Sequence, residues 1–124
     1  NFMIINGIVN LSNSNLSSLG NLVEINGKLD LSWNYSLKDL GQLKAVNVSK
    51  SNTMGILILS NCKNLISLGN LGFVYHTLHL QNCSSLTTFG KLNFCYKIFL
   101  KGSGITQSHV LNNYPKLYNN CSWK

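Results

Sequence analysis

Arginine is absent from the chain, proline occurs once, at Pro115, and only three acidic residues, Glu24, Asp30 and Asp39, stand against ten lysines. Each shortage excludes something. Nucleic-acid interfaces draw on bidentate guanidinium contacts and clustered positive charge, whereas here the lysines are scattered singly. The net charge of +7 therefore implies solubility and weak attraction to anionic surfaces, with no nucleic-acid partner. All three acids lie in the amino-terminal third, so His76, His79 and His109 have no orienting carboxylate nearby in sequence for nucleophilic or acid–base work. His76 and His79 are three apart on a predicted strand, where they would point to opposite faces and make poor co-ligands. No Cys-x-x-Cys pair occurs, which argues against zinc. No metal, nucleotide or other cofactor is expected, and no catalytic residue.

Long apolar runs are missing too. Gly55-Ile56-Leu57-Ile58-Leu59 is far short of a membrane span. No signal peptide is visible and the chain does not begin with Met, so it reads as a mature or excised segment. Charged residues make up only 10% while hydrophobic residues reach 44%. That balance is too apolar for disorder and too poor in charge for an ordinary soluble helical protein.

What the chain does have is internal repetition. Ile5-Asn6-Gly7-Ile8-Val9-Asn10-Leu11 returns as Ile25-Asn26-Gly27-Lys28-Leu29-Asp30-Leu31. The block Ser18-Leu19-Gly20-Asn21-Leu22 returns as Asp39-Leu40-Gly41-Gln42-Leu43, Ser67-Leu68-Gly69-Asn70-Leu71 and Thr88-Phe89-Gly90-Lys91-Leu92. Alternating apolar pairs fall at Val9/Leu11, Leu29/Leu31, Leu57/Leu59, Leu78/Leu80 and Ile98/Leu100, with steps of 20, 28, 21 and 20 residues. The long step carries about seven extra residues, roughly Val48 to Met54. Apolar spacing is 2 through each pair and about 3 afterwards, as in a coil that keeps one side turned inward. No single copy could bury its apolar side, but stacked copies can. The Gly20, Gly41, Gly69 and Gly90 column is expected at a turn of positive φ.

The spacing in Ile25 to Leu40 resembles the receptor L-domain group of leucine-rich-repeat proteins. The variants in Leu57 to Leu68 and Leu78 to Phe89, with Cys62 and Cys83 at the position of Asn34, resemble cysteine-containing leucine-rich repeats. The resemblance implies a mainly β, leucine-rich-repeat-type solenoid with a parallel sheet on one face. It would have about five rungs of 20–21 residues, one with a seven-residue insertion, over residues 1–106, closed by a carboxyl-terminal capping segment over 107–124. The cap would draw on Val110, Leu111, Tyr114, Leu117, Tyr118 and Trp123. The usual role in such families is recognition of a protein or other ligand.

Cys62 and Cys83 align with Asn34, where a small polar group can satisfy backbone inside the bend, and Cys95 aligns with the core column of Ile25, Val46 and Val74. Cys62 and Cys83 would lie one rung apart, which leaves a disulfide open, and Cys121 could tie down the tail. Six Asn-x-Ser sequons occur among nineteen asparagines, where chance gives about three. Asn34 should be buried. Asn15, Asn47, Asn82 and Asn120 remain as candidate glycosylation sites if the chain is secreted.

Aligning the strands gives outward columns Ile8, Lys28, Ile56, Thr77, Lys97; then Asn10, Asp30, Ile58, His79, Phe99; then Ser12, Ser32, Ser60, Gln81, Lys101. Most such positions belong to an ordinary solvated sheet. Yet Ile56, Ile58 and Phe99 cluster around His79, with Lys97 and Lys101 at the rim, a pattern common at interfaces. The expected function is non-enzymatic extracellular or cell-surface recognition of a protein or glycan through this face. The alternative is a self-assembling subunit of a fibre or coat, joined through an uncapped amino end where Phe2, Ile4 and Ile5 would contact another chain, or else further repeats of a longer one.

Overall fold

A period-2 block makes a strand with one inward side, and each copy of the repeated block is one. In the computed structural model, which describes residues 1–124, the strands are β1 (Met3–Asn10), β2 (Leu22–Asp30), β3 (Ala45–Asn47), β4 (Ile56–Ile58), β5 (Phe73–His79), β6 (Phe94–Phe99) and β7 (Cys121–Ser122). They form one seven-stranded sheet with parallel ladders. The register follows the copies: Val9 pairs with Leu29, Leu29 with Leu57, Leu57 with Leu78 and Leu78 with Ile98. A slip of one residue would turn every inward leucine to solvent. From Leu29 onward the paired positions are all but sealed, and 27 buried apolar side chains form one continuous core. Val9 and Leu11, in the first copy, are only half-buried.

The long step is resolved inside a strand. β3 pairs with the first half of β2 and β4 with its second half, so the two short strands lie end to end between β2 and β5. The single residue Gly27 of β2 is matched by Val48–Gly55. This loop is ordered by its own contacts: the buried Ser49 accepts from the Thr53 amide through its hydroxyl (2.9 Å) and donates its own amide to the Thr53 carbonyl (2.9 Å). The close packing at Gly27 itself explains its residue type. A Cβ there would lie 2.1 Å from the Gly7 carbonyl oxygen, and its φ is +141°.

After each strand the chain turns twice. At the second turn Gly20, Gly41, Gly69 and Gly90 all have φ between +56° and +59°. The side chain two residues earlier (Ser18, Asp39, Ser67 or Thr88) accepts from each glycine amide at 2.8–3.2 Å. That local bond explains why the position before Leu-Gly, or Phe-Gly, carries a short oxygen side chain. The first turn has its own left-handed column, Asn13, Trp33, Asn61, Asn82 and Gly102. Asparagine and glycine tolerate that conformation; Trp33, at φ +65°, is the bulky exception.

Asn34 lies fully buried in the bend. Its carbonyl oxygen accepts from Ser14 (3.2 Å) and Leu16 (2.7 Å), and its amide donates to the Leu11 (3.0 Å) and Leu31 (2.8 Å) carbonyls. At the same position Cys62 donates its thiol to the Leu31 carbonyl (3.2 Å) and Cys83 to that of Leu59 (2.9 Å). Each thiol reaches back to the preceding copy, as the Asn34 amide does to Leu11. All four cysteines are free. Burial pushes the Cys62 thiol up, and Cys83 and Cys95 up to about 12. These are inward side chains with one weak donor each.

The carboxyl-terminal segment closes the last copy. Thr106 caps α1 (Gln107–Asn113) by accepting from the His109 amide, and a 3₁₀ segment (Pro115–Asn120) leads into β7, which pairs with Ile98 and Phe99. Val110 and Leu117 are buried, while Tyr114, Tyr118 and Trp123 pack against the core. The Tyr114 hydroxyl donates to the Gly90 carbonyl (2.7 Å), and its ring meets Phe89 edge-on. Leu111, expected in this set, is 54% exposed instead. On a helix of seven residues it falls next to Val110 and points away from the face that Val110 buries. Cys121 lies in β7 as a free thiol donating to the Leu117 carbonyl (3.3 Å), so pairing and hydrogen bonding hold the tail.

Candidate binding face

Strand pairing brings the outward residues into rows across the sheet. Lys28, Ile56, Thr77 and Lys97 are successive partners, as are Asp30, Ile58, His79 and Phe99. Their chain neighbours Leu57, Leu78 and Ile98 point inward, so these side chains share the outer face. The His79 and Phe99 rings stack at 4.9 Å with planes 20° apart, and the Lys97 ammonium lies 5.4 Å from the Phe99 centroid. Gln81, held by Ser60 at 2.8 Å, reaches His79 Nδ1 at 3.4 Å. Burial lowers the His79 pKa; the Gln81 bond opposes this, Lys28 lowers it further and Asp30 raises it. The imidazole is therefore neutral at physiological pH and presents an aromatic, uncharged surface.

Ile56, Ile58, His79 and Phe99 are each half-buried, more covered than a freely solvent-facing patch would be, because neighbouring rows shield them. Lys97 and Lys101 are exposed at the rim. The stacking extends further than the sequence reading reached. Phe73 stacks on Phe94 (5.3 Å, 20°), and His76 packs against Tyr96 (5.1 Å). Together with His79–Phe99 this makes three ring pairs along β5 and β6. The missed signal is simple: Phe73 and Phe94 immediately precede the inward Val74 and Cys95. The register irregularity between Val74 and Thr77 also breaks strict alternation around His76. One row across β1, β2 and β3 is polar instead. Asn26 donates to Asn6 (2.8 Å) and Asn47 to Asn26 (3.1 Å), forming a short amide ladder.

That ladder corrects one sequon. Asn47, expected to be accessible, is half-buried with its amide committed to Asn26, and its partner Ser49 is buried. Asn120 is corrected likewise: it is half-buried and donates to the Cys95 carbonyl at 2.9 Å. Asn15 and Asn82 are exposed, although the Asn82 amide donates to Asn61 (3.0 Å). At the amino end Phe2 is 77% and Ile4 56% exposed, whereas Ile5 is half-buried against the core and is not a free contact residue. Met3, at 51%, and Ile8, at 68%, are exposed with these two.

No helix is long and apolar enough to cross a membrane. Comparison with known proteins finds no matching family model, no matching curated protein and no matching solved structure.

Proposed function

We propose that the chain is a leucine-rich-repeat-type solenoid acting as a non-enzymatic, extracellular recognition module for a protein or glycan ligand. The observation that carries this reading is the outer-face cluster itself: Ile56, Ile58 and the His79–Phe99 stack side by side, rimmed by Lys97 and Lys101. Apolar and aromatic side chains at the centre with cations outside are the composition of many binding patches. The repeat spacing and the buried Asn34, Cys62 and Cys83 column support the solenoid reading. The exposed sequons at Asn15 and Asn82 support a secreted location.

Changing Ile58 and Phe99 together to Ser is expected to leave the melting temperature within a few degrees. Capture of a surface partner by the immobilised chain should fall by about tenfold or more. Equal capture by the double variant would remove the face as the binding site.

A second reading, assembly through the amino-terminal strand, is favoured by the exposed apolar side chains of Phe2, Met3, Ile4 and Ile8 on and just before β1. Light scattering across a concentration series should show growth that Phe2→Lys and Ile4→Lys abolish. A monodisperse particle unaffected by either change would retire this reading.

A further inference from the structure

The outer side of β6 is only half covered. β7 pairs with Ile98 and Phe99, so the stretch before Ile98 has no strand beside it. A groove of about 790 Å³ opens there. Tyr96, Lys97, Asn119, Ser122, Trp123 and Lys124 are among the residues that line it.

Both aromatic side chains are held in place. Tyr96 is 61% exposed but packs against His76 at 5.1 Å, and Trp123 is half-buried against the core. With Gln107, Asn120 and Cys121 the lining holds three side-chain amides, a hydroxyl, a thiol and two lysines. No carboxylate side chain lines the groove: Glu24 and Asp30 are on β2, across the sheet, and Asp39 follows it. The backbone here is not offered for strand addition, because the Asn120 amide already donates to the Cys95 carbonyl (2.9 Å). A peptide docking by main-chain pairing would need that acceptor.

We infer that this groove binds a short stretch of acidic oligosaccharide, of the uronic-acid class. A sugar ring has an apolar C–H face and an equatorial belt of hydroxyls. The faces suit the Tyr96 and Trp123 rings, which carry large apolar area with a polar tip. The hydroxyls suit the Asn119 amide and the Ser122 hydroxyl, each of which both donates and accepts. The ring carboxylate suits Lys97, with the Lys124 side chain as a second cation on the groove. Single-stranded nucleic acid would want a cationic track along several phosphates and a series of stacking platforms; two lysines and two rings match the smaller ligand. This inference does not depend on the sheet-face reading, since the groove shares only Tyr96 and Lys97 with that face and neither Ile56, Ile58, His79 nor Phe99 lines it.

The two indole N–H signals, from Trp33 and Trp123, give a direct readout by nuclear magnetic resonance. Trp33→Phe assigns them. Titration with an oligogalacturonate should shift the Trp123 signal saturably at up to millimolar concentration and leave Trp33 in place. Tyr96→Ala should weaken that binding about tenfold with an unchanged melting temperature. Lys97→Gln should weaken the oligogalacturonate and leave any weaker response to a neutral chito-oligosaccharide untouched. Ile58→Ser, on the sheet face, should change nothing here. No shift at Trp123, the same affinity in Tyr96→Ala, or a stronger response to oligothymidylate than to the uronate would each overturn the assignment.

Discussion

Leu59→Asp unfolds the chain. Leu59 has no accessible surface, and its carbonyl is the acceptor of both the Cys83 thiol (2.9 Å) and the Cys62 amide (3.1 Å). Its side chain points into the shared core along with Leu31 and Leu80. A carboxylate there would lose its water with no cation nearby, and the nearest remedy, taking up a proton, still leaves a polar group among leucines. The penalty is several kcal/mol, comparable with the roughly 5–15 kcal/mol that holds an ordinary domain together. The expected result is a far-ultraviolet circular dichroism spectrum without β character and no cooperative melting transition. Leu59→Ala should fold but lose about 2–5 kcal/mol. Ile66→Asp, at a position 59% exposed, should cost no more than about 0.5 kcal/mol. If Leu59→Asp melts like the parent, the inward register described above is wrong.

Asn34→Leu is the second large effect, because it removes the hydrogen bonds that hold the bend. Leucine keeps the branched outline of asparagine but is bulkier, so overpacking at this fully buried position adds to the loss. What disappears is an acceptor for the Ser14 and Leu16 amides and a donor to the Leu11 and Leu31 carbonyls. An unsatisfied buried polar group costs about 1–3 kcal/mol. With the Ser14 side of the bend partly wet, the expected total is about 3–6 kcal/mol. Asn34→Cys should fall between the parent and Asn34→Leu, since Cys62 and Cys83 show that a thiol in this position can reach the carbonyl of the preceding copy. It offers only a weak sulfur acceptor to Ser14 and Leu16. Urea unfolding midpoints of the three proteins give the order. A leucine variant within about 1 kcal/mol of the parent would mean that the bend does not depend on Asn34.

The strand register and the inward columns were legible because a period-2 pattern leaves only one face to bury, and each copy confirms the next. The extra residues were legible as an excess between Val46 and Leu57, though not as a loop that divides a strand. The structural place of Cys62 and Cys83 could be read from their alignment with Asn34. Less could be read where side chains meet partners some twenty residues away. Asn47 and Asn120 look like free sequons until Asn26 and the Cys95 carbonyl claim their amides. Leu111 looks like a cap residue until the short helix turns it outward. The Tyr96–Trp123 groove joins the last strand to a tail with no repeat to align, and periodicity has nothing to say there.

The loop between β3 and β4 makes chain length an adjustable quantity at one point of the sheet. Asn47 and Ile56 are held by separate ladders, so β2 and β5 stay connected whatever lies between them. Gly55 fixes the landing, since a Cβ there would lie 2.6 Å from the Val46 carbonyl oxygen. The tip, Lys50 to Asn52, is exposed. Doubling a flexible loop costs only about 0.6 kcal/mol in closure entropy. Sequence could thus be added at Lys50–Asn52 beside the outer face while the inward leucines keep their partners, making this the natural point for varying, or grafting, what the sheet displays.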